Sequence, residues 1–221
     1  MEILTYNKVM YYKKLNYEPT ENIRKIFSEN IGTLQKIKPV ENELIIKLNK
    51  LSNDNIDKSI NDIISIGFET KKQIDDFVKI LYNKAIHEQI YVNLYSKLSK
   101  ALYPLYIEEN GNKIYIRNIL LGYCHKEFMN VINGNYNIER SDGIIGFLCG
   151  LYNIGFINNK IINECFNSIM SMVTNHKANG IELLCLFVKR INKNEEFKEI
   201  IKTSNIEFSN IDKLKLEIIN Y

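Results

Sequence analysis

Apolar residues beyond residue 40 recur three or four positions apart, and no segment shows sustained alternation of apolar and polar residues. This spacing places apolar side chains on one face of an α-helix, whereas alternation would place them on one face of a strand. The stretch LNKLSNDNI at 48–56 is an example, because Leu48 and Leu51 share one helical face. Ser52 is the residue expected to cap the next helix. The apolar series of that helix comprises Ile56, Ile60, Ile63 and Ile64. The sequence therefore predicts helices and no sheet.

Capping and turn residues mark the ends of the helices. Thr70 and Gln73 match the capping box S/T-x-x-E/Q, Pro104 ends a later helix, and EENGN at 108–112 is typical of a turn. About nine or ten helices joined by short turns, with self-similarity near forty residues, are typical of a helical-pair solenoid. We predict an all-α fold, a right-handed α-solenoid of about five HEAT-like antiparallel helix pairs. A globular helical bundle is the alternative.

The distribution of prolines divides the chain into two regions. Pro19 and Pro39 lie near the start, so we predict an N-terminal arm at 1–40 and the solenoid at 41–221. No apolar run is long enough to span a membrane, and the N-terminus lacks the layout of a secretory signal. These features favour a cytoplasmic protein. Asparagine, isoleucine, lysine and tyrosine are frequent, as expected of an AT-rich genome, which weakens lysine abundance as evidence of RNA binding.

Residue patterns for catalysis or metal binding are missing from the sequence. The four cysteines lie in apolar helical series, and no two of them have the close spacing of a zinc-binding pair. We therefore predict core thiols rather than a zinc site. The three histidines have polar neighbours and are expected at the surface. The only glycine cluster, GIIGFLCG at 143–150, lacks the order of a phosphate-binding loop and predicts close helix packing. We therefore predict no enzymatic activity, no metal and no cofactor.

A set of motifs occurs in a specific order along the solenoid. LNKLSNDNI at 48–56 is followed by ILLGYCHKEF at 119–128, GIELLCLFVKRI at 180–191 and KLKLEI at 213–218. This ordered set, over roughly 44–220, resembles the middle domain of eukaryotic translation initiation factor 4G. The resemblance implies a non-enzymatic HEAT-repeat scaffold that binds the DEAD-box RNA helicase, initiation factor 4A. It also implies that the domain holds the two lobes of the helicase in a productive orientation.

Carried over by position, the resemblance assigns helicase binding to two parts of the chain. Leu48, Leu51 and Ile56 match residues of the first helix junction, although Ile56 replaces a phenylalanine. The terminal basic helix of the family is matched by three further residues, with Leu216 in place of an aromatic side chain. These residues are Lys213, Lys215 and Leu216. Burial of the junction residues in the core is the alternative interpretation.

The N-terminal arm resembles the peptide with which factor 4G binds the cap-binding protein, initiation factor 4E. That peptide has the pattern Y-x-x-x-x-L followed by an apolar residue. The stretch YNKVMYY at 6–12 supplies the corresponding positions, with a tyrosine in place of the leucine. The matching residues are Tyr6, Met10, Tyr11 and Tyr12. An aromatic arm that packs on the solenoid is the alternative.

Two other functions remain open at this point. Related middle domains occur in RNA-processing and decay adaptors that bind other DEAD-box helicases. An RNA-binding solenoid without a helicase partner is the second alternative, with a C-terminal basic surface at Lys189, Arg190 and Lys193. Direct mRNA binding would fall steeply with salt. If the chain is complete, it is a minimal factor of the kind that a parasite or a large virus would encode.

Overall fold

Helices form where apolar residues recur at helical spacing. The computed structural model describes residues 39–134, 137–177, 179–192 and 194–204, without the side chains of 39–42 and 194. In this part of the chain the helices are α1 (Pro39–Asn49), α2 (Ile56–Ile66), α3 (Lys71–His87), α4 (Val92–Leu102), α5 (Ile116–Ile132), α6 (Ile138–Asn153), α7 (Asn159–Thr174), α8 (Gly180–Arg190) and α9 (Asn194–Thr203). A short 3₁₀ turn, Gln89–Tyr91, joins α3 to α4. None of the described helices is both long and apolar enough to cross a lipid bilayer.

The helices pack as successive pairs in two rows. The first helices of the pairs form one row, in which α5 packs on α3 and α7 packs on α5. The second helices form the other row, in which α4 contacts α2, α6 contacts α4, and α8 contacts α6. Each pair therefore buries its apolar face against its neighbours, which confirms the predicted helix-pair solenoid. Four pairs and α9 lie in the part of the chain that the structure describes.

Aromatic contacts tie α9 to the preceding pair. The ring of Phe197 on α9 lies 4.8 Å from that of Phe166 on α7 and 5.3 Å from that of Phe187 on α8, measured between centroids. All three side chains are buried. The apolar core is therefore continuous from the fourth pair into α9.

The start of α3 confirms the predicted capping box. The Gln73 backbone N–H donates to the Thr70 hydroxyl at 3.3 Å, and the Thr70 N–H donates to the Gln73 side-chain oxygen at the same distance. The predicted cap at Ser52 is wrong, because α2 begins at Ile56 and Asn55 is the residue that precedes it. Ser52 lies in the turn before α2, where its backbone N–H donates to the side-chain oxygen of Asn55.

A two-stranded antiparallel hairpin connects α4 to α5, so the expectation of no sheet is wrong at this place. Strands β1 (Tyr106–Glu109) and β2 (Asn112–Tyr115) pair with Tyr106 opposite Tyr115. Asn110 and Gly111 have positive φ angles of 53° and 76°, which matches the tight type I′ turn favoured by Asn-Gly. The EENGN segment is the predicted turn, but strands of four residues are too short for alternation to be recognised.

The glycines of GIIGFLCG lie where α6 meets the second pair. A β-carbon on Gly143 would overlap the backbone carbonyl of Ile86 at the end of α3. A β-carbon on Gly146 would overlap the Gln89 side chain, and one on Gly150 would lie 2.6 Å from the Ser96 hydroxyl. The predicted close helix packing is therefore confirmed, and it sets how near α6 lies to α3 and α4.

Candidate partner-binding surface

The three junction residues predicted to bind a helicase lie in the core. Leu48 is 1% exposed, and Leu51 and Ile56 are each 9% exposed. Their side chains join α1 and α2 to the apolar core of the solenoid. A role in partner binding stays a proposal for these three residues. From the core they would support a contact surface rather than form it.

The polar residues of LNKLSNDNI build a hydrogen-bonded turn around Asn55. The side-chain oxygen of Asn55 accepts from the Ser52 backbone N–H at 2.9 Å and from the Ser59 hydroxyl at 3.1 Å. The Asn55 amide nitrogen donates to the carbonyl oxygen of Lys50 at 2.7 Å. One side chain thus closes the connection between the first two helices and fixes their relative position.

The first helix pair exposes two other apolar side chains. Ile46 on α1 is 50% exposed and Ile64 on α2 is 37% exposed. Sequence reasoning missed both residues as candidates and placed Ile64 in the buried series. The signal for Ile46 is its position two residues before Leu48, since a spacing of two places side chains on nearly opposite faces of a helix.

An ion pair links the two helices of this pair. The Lys47 ammonium donates to a carboxylate oxygen of Asp62 at 2.6 Å. This hydrogen bond lowers the pKa of the Asp62 carboxyl below its ordinary value. The surface of the first helix pair therefore carries two exposed isoleucines and an ion pair whose opposite charges offset each other.

The predicted basic surface at the end of α8 is only partly present. Lys189 is exposed, but Arg190 donates to both carboxylate oxygens of Asp142 on α6, at 2.8 and 2.7 Å. On α9, the exposed Glu195 pairs with Lys198 at 2.9 Å. The described C-terminal surface therefore carries mixed charge, and Arg190 holds α8 to α6.

Several predicted site residues lie outside the described part of the chain. They are the cap-binding-protein residues Tyr6, Met10, Tyr11 and Tyr12, the basic-surface residue Lys193, and the terminal residues Lys213, Lys215 and Leu216. Their assignments stay proposals.

An open cleft of about 860 Å³ lies beside the connection between α6 and α7. We call it the α6–α7 cleft. It is lined by Tyr103, Arg117, Leu121, Tyr152, Asn153, Gly155, Phe156, Ile157, Asn158, Asn159, Lys160, Ile161 and Asn192. This lining contains two cationic side chains and no carboxylate. No sequence pattern indicated the cleft, because its residues come from four separate segments of the chain.

Arg117 connects this cleft to the hairpin. Its guanidinium carbon lies 4.4 Å from the ring centroid of Tyr115 and 4.8 Å from that of Tyr103. The Tyr115 ring in turn lies 5.2 Å from the ring of Tyr106, over which the Lys113 ammonium lies at 4.5 Å. A continuous series of cation–ring and ring–ring contacts therefore runs from the cleft along the hairpin, and each contact contributes to holding these side chains in place.

The thiols lie in positions that suppress nucleophilic chemistry. Cys124, Cys149 and Cys165 are buried, as predicted, whereas Cys185 is half-buried. Burial raises the pKa of Cys124 and Cys149, and raises the pKa of Cys165 to about 11. Since the thiolate is the reactive form, these three thiols are poor nucleophiles at neutral pH. His87, His125 and His176 are exposed, as predicted, and no group of metal-ligating side chains occurs among the residues described.

Comparison with known proteins assigns the solenoid to a family. The family model described as the MIF4G domain matches residues 41–217. The chain is 21% identical over 223 residues to human eukaryotic translation initiation factor 4 gamma 3, covering 86% of this chain and 14% of that protein. It is 20% identical over 225 residues to eukaryotic translation initiation factor 4 gamma of Schizosaccharomyces pombe, covering 85% of this chain and 16% of that protein.

A plant relative shows a similar likeness. The chain is 23% identical over 172 residues to eukaryotic translation initiation factor 4G of Triticum aestivum, covering 65% of this chain and 11% of that protein. The chain thus spans only 11–16% of the length of these relatives. These matches confirm the resemblance to the middle domain of initiation factor 4G. Because the family model covers most of the helix-pair solenoid, the protein belongs to the MIF4G domain family.

Proposed function

We propose that this protein is a cytoplasmic translation-initiation scaffold whose solenoid binds and stimulates the DEAD-box RNA helicase initiation factor 4A. The observation that carries the proposal is the match of residues 41–217 to the MIF4G domain, together with relatives that are named as initiation factors. A solenoid of stacked helix pairs suits the role, because it offers an extended surface on a rigid support. The scaffold would act by favouring the closed arrangement of the two helicase lobes, through tighter binding to that state.

The proposed contact at the first helix pair uses exposed rather than buried residues. Ile46 and Ile64 present apolar area to solvent, and such side chains contribute to binding when a partner covers them. Leu48, Leu51 and Ile56 would position α1 and α2 from the core side. A second contact by Lys213, Lys215 and Leu216 is proposed from the resemblance, which assigns those positions to the terminal basic helix.

The N-terminal arm extends the proposal to a second partner. We assign residues 1–40 to an arm that binds the cap-binding protein, initiation factor 4E, through Tyr6, Met10, Tyr11 and Tyr12. The protein would then bridge the cap-binding protein to the helicase on mRNA. Titration of a peptide of residues 1–20 against the cognate cap-binding protein tests this part, and no measurable binding would contradict it.

The helicase proposal is tested by calorimetric titration of the full chain with purified factor 4A, in the absence of RNA. The variant Ile46→Ser with Ile64→Ser should weaken binding by at least tenfold, since each removed anchor contributes on the order of 1–3 kcal/mol. Ile138→Ser is the matched control, because Ile138 is 53% exposed at the start of α6, away from the first pair. Equal binding of both variants would remove the first pair from the interface.

A parallel titration separates initiation from RNA decay or splicing. The same chain is titrated with DEAD-box helicases of those pathways, and RNA-dependent ATP hydrolysis is measured with each helicase. Preferential binding and stimulation of factor 4A supports the initiation role. A preference for a decay or splicing helicase would assign the protein to the adaptor class instead.

A further inference from the structure

We propose that Asn110 is a site of spontaneous deamidation, at which the side-chain amide is converted to a carboxylate and part of the product is isoaspartate. Asn110 lies at the turn of the β1–β2 hairpin, and Gly111 follows it. The inference concerns a chemical modification of this chain and does not depend on the proposed binding of a helicase.

The reaction needs only the two residues of the turn and water. The backbone nitrogen of Gly111 loses its proton and attacks the side-chain carbonyl carbon, Cγ, of Asn110, so that a C–N bond forms. The bond from Cγ to Nδ2 then breaks, and ammonia leaves with the proton that the glycine nitrogen lost. Water adds to one of the two carbonyl carbons of the resulting five-membered imide and opens the ring. Opening on one side gives aspartate, and opening on the other gives isoaspartate, in which the main chain runs through the former side chain.

Three Asn-Gly pairs in the chain have the residues that this reaction needs, because glycine has no side chain to block the attack. They are Asn110–Gly111, Asn133–Gly134 and Asn179–Gly180. The sequence alone does not distinguish the three pairs. The structure distinguishes them by the hydrogen bonding and burial of the glycine nitrogen, which is the nucleophile.

At the hairpin turn this nucleophile is accessible. Asn110 and Gly111 are both exposed, and the part of the chain that the structure describes supplies no acceptor for the Gly111 backbone N–H. No atom lies within 4 Å of a β-carbon built on Gly111, so the turn is open on that side. The side-chain amide of Asn112 donates to the backbone carbonyl oxygen of Asn110 at 3.3 Å. This hydrogen bond draws electron density from the peptide bond between Asn110 and Gly111, and it makes the N–H that must lose its proton more acidic.

The other two glycine nitrogens are already used as donors. The Gly134 N–H donates to the carbonyl oxygen of Val131 at 3.1 Å, and the Gly180 N–H donates to that of Lys177 at 3.3 Å. Gly180 is also buried at the start of α8. Each of these hydrogen bonds must break before the nitrogen can attack, and the burial of Gly180 requires local opening as well. We therefore expect Asn110 to react first.

Isoaspartate at position 110 would disturb the hairpin, because it adds one methylene group to the main chain between the two strands. A two-residue turn sets the register of the hairpin, so Glu109 would no longer lie directly opposite Asn112. The second strand ends with Tyr115, whose ring lies 4.4 Å from the Arg117 guanidinium carbon. The modification is therefore expected to loosen the hairpin and this cation–ring contact.

The test incubates the full, folded chain at pH 7.4 and 37 °C and follows the three pairs by peptide mapping with mass spectrometry. Electron-transfer fragmentation distinguishes aspartate from isoaspartate in the products. Asn110 should react about fivefold faster than Asn133 or Asn179, since no hydrogen bond of its glycine nitrogen must break first. The same chain unfolded in guanidinium chloride is the reference. There the three pairs should react at similar rates, because the hydrogen bonds and the burial are lost.

Asn110→Gly is the matched control, because it removes the reactive side chain while Gly-Gly remains compatible with a type I′ turn. It should form no product at the turn and should keep the parent's rates at Asn133 and Asn179. Hydrogen exchange of the β1 and β2 amides should become faster as the parent ages and should stay constant in Asn110→Gly. Circular dichroism checks that the variant is folded.

Five results would overturn the inference. They are the absence of product at Asn110 in the folded chain over a period in which the unfolded chain reacts, an equal or faster reaction at Asn133 or Asn179 in the folded chain, the same preference for Asn110 in the unfolded chain, aspartate as the sole product, and unchanged hydrogen exchange of the hairpin in the aged parent. A preference for Asn110 that is lost on unfolding, with isoaspartate among the products, would support it.

Discussion

The backbone carbonyl oxygen of Ile86 occupies the space that a β-carbon on Gly143 would need. The end of α3 and the start of α6 are therefore in contact through their backbones. The side-chain amide of Gln89 donates to the carbonyl oxygens of Ala85 and Ile86 at the end of α3, and it reinforces the contact by also donating to the carbonyl oxygen of Gly143 on α6 at 3.4 Å. The stacking distance between the second and third helix pairs is thus set by the absence of one side chain.

Gly143→Ala is expected to destabilise the protein by about 1–3 kcal/mol, the usual cost of overpacking, because backbone atoms must move to admit the methyl group. Urea unfolding measures the effect. Gly122→Ala is the matched control, since Gly122 lies on an exposed face of α5 with no atom within 4 Å of the added carbon. It should raise stability by about 0.5–1 kcal/mol through helix propensity. Equal effects of the two substitutions would contradict the close approach.

Leu48→Ala and Ile46→Ser should separate folding from binding at the first pair. Leu48→Ala removes a core side chain and should lower the free energy of unfolding by about 2–5 kcal/mol. Ile46→Ser changes an exposed side chain and should alter it by about 0.5 kcal/mol or less. Chemical denaturation of both variants beside helicase titration makes the comparison. If Leu48→Ala were to weaken helicase binding at unchanged stability, the assignment of Leu48 to a supporting role would be wrong.

Asp142→Asn should lower the free energy of unfolding by about 1–2 kcal/mol, because it removes a charged acceptor of two hydrogen bonds from Arg190. Both side chains are less than a third exposed, at 30% and 28%, so solvent screens the pair incompletely. Glu108→Gln is the control, since Glu108 and Lys113 are exposed and 4.0 Å apart. It should change stability by less than about 0.5 kcal/mol. A similar, small change in both variants would show that Asp142 does not hold α8 to α6.

Stability should fall as the pH rises above about 9, because buried thiols and phenols resist ionisation in the folded state. Burial raises the pKa of Cys165 from 9.0 to about 11, and raises the pKa of Tyr82 above its ordinary value of 10.0. The unfolded chain therefore loses these protons first, so stability is intact below the unfolded pKa values and declines as the pH rises toward the folded ones. Each such group contributes up to about 1.4 kcal/mol per pH unit in that interval. Urea unfolding at pH 7, 9 and 10.5 measures the decline.

Tyr82→Phe tests the contribution of one buried phenol. The Tyr82 hydroxyl has no hydrogen-bond partner among the residues that the structure describes. Its removal should leave stability at pH 7 equal to or above that of the parent, since an unpaired buried polar group is unfavourable. It should also make the decline between pH 9 and 10.5 shallower. A large loss of stability at pH 7 would indicate a partner for this hydroxyl.

Local features of this chain were predictable because they depend on neighbouring residues. The core face of Leu48 and Leu51, the capping box of Thr70 and Gln73, and the small-residue face of α6 each follow from spacing within one helix. The order of motifs predicted the family, which the domain match confirms. The sequence did not predict the two strands of the hairpin that turns at Asn110 and Gly111, because each strand has only four residues.

The amino-acid sequence alone determined the helical class, the pairing of helices and the core, because the apolar period of each segment requires burial against a neighbour. Only the tertiary structure decided which apolar and charged side chains remain available to a partner. It left Ile64 exposed, paired Arg190 with Asp142, and brought Arg117 and Tyr152 into one cleft. The reason is physical: exposure and ion pairing depend on residues distant in the sequence, and stacking of the helix pairs determines which of them meet.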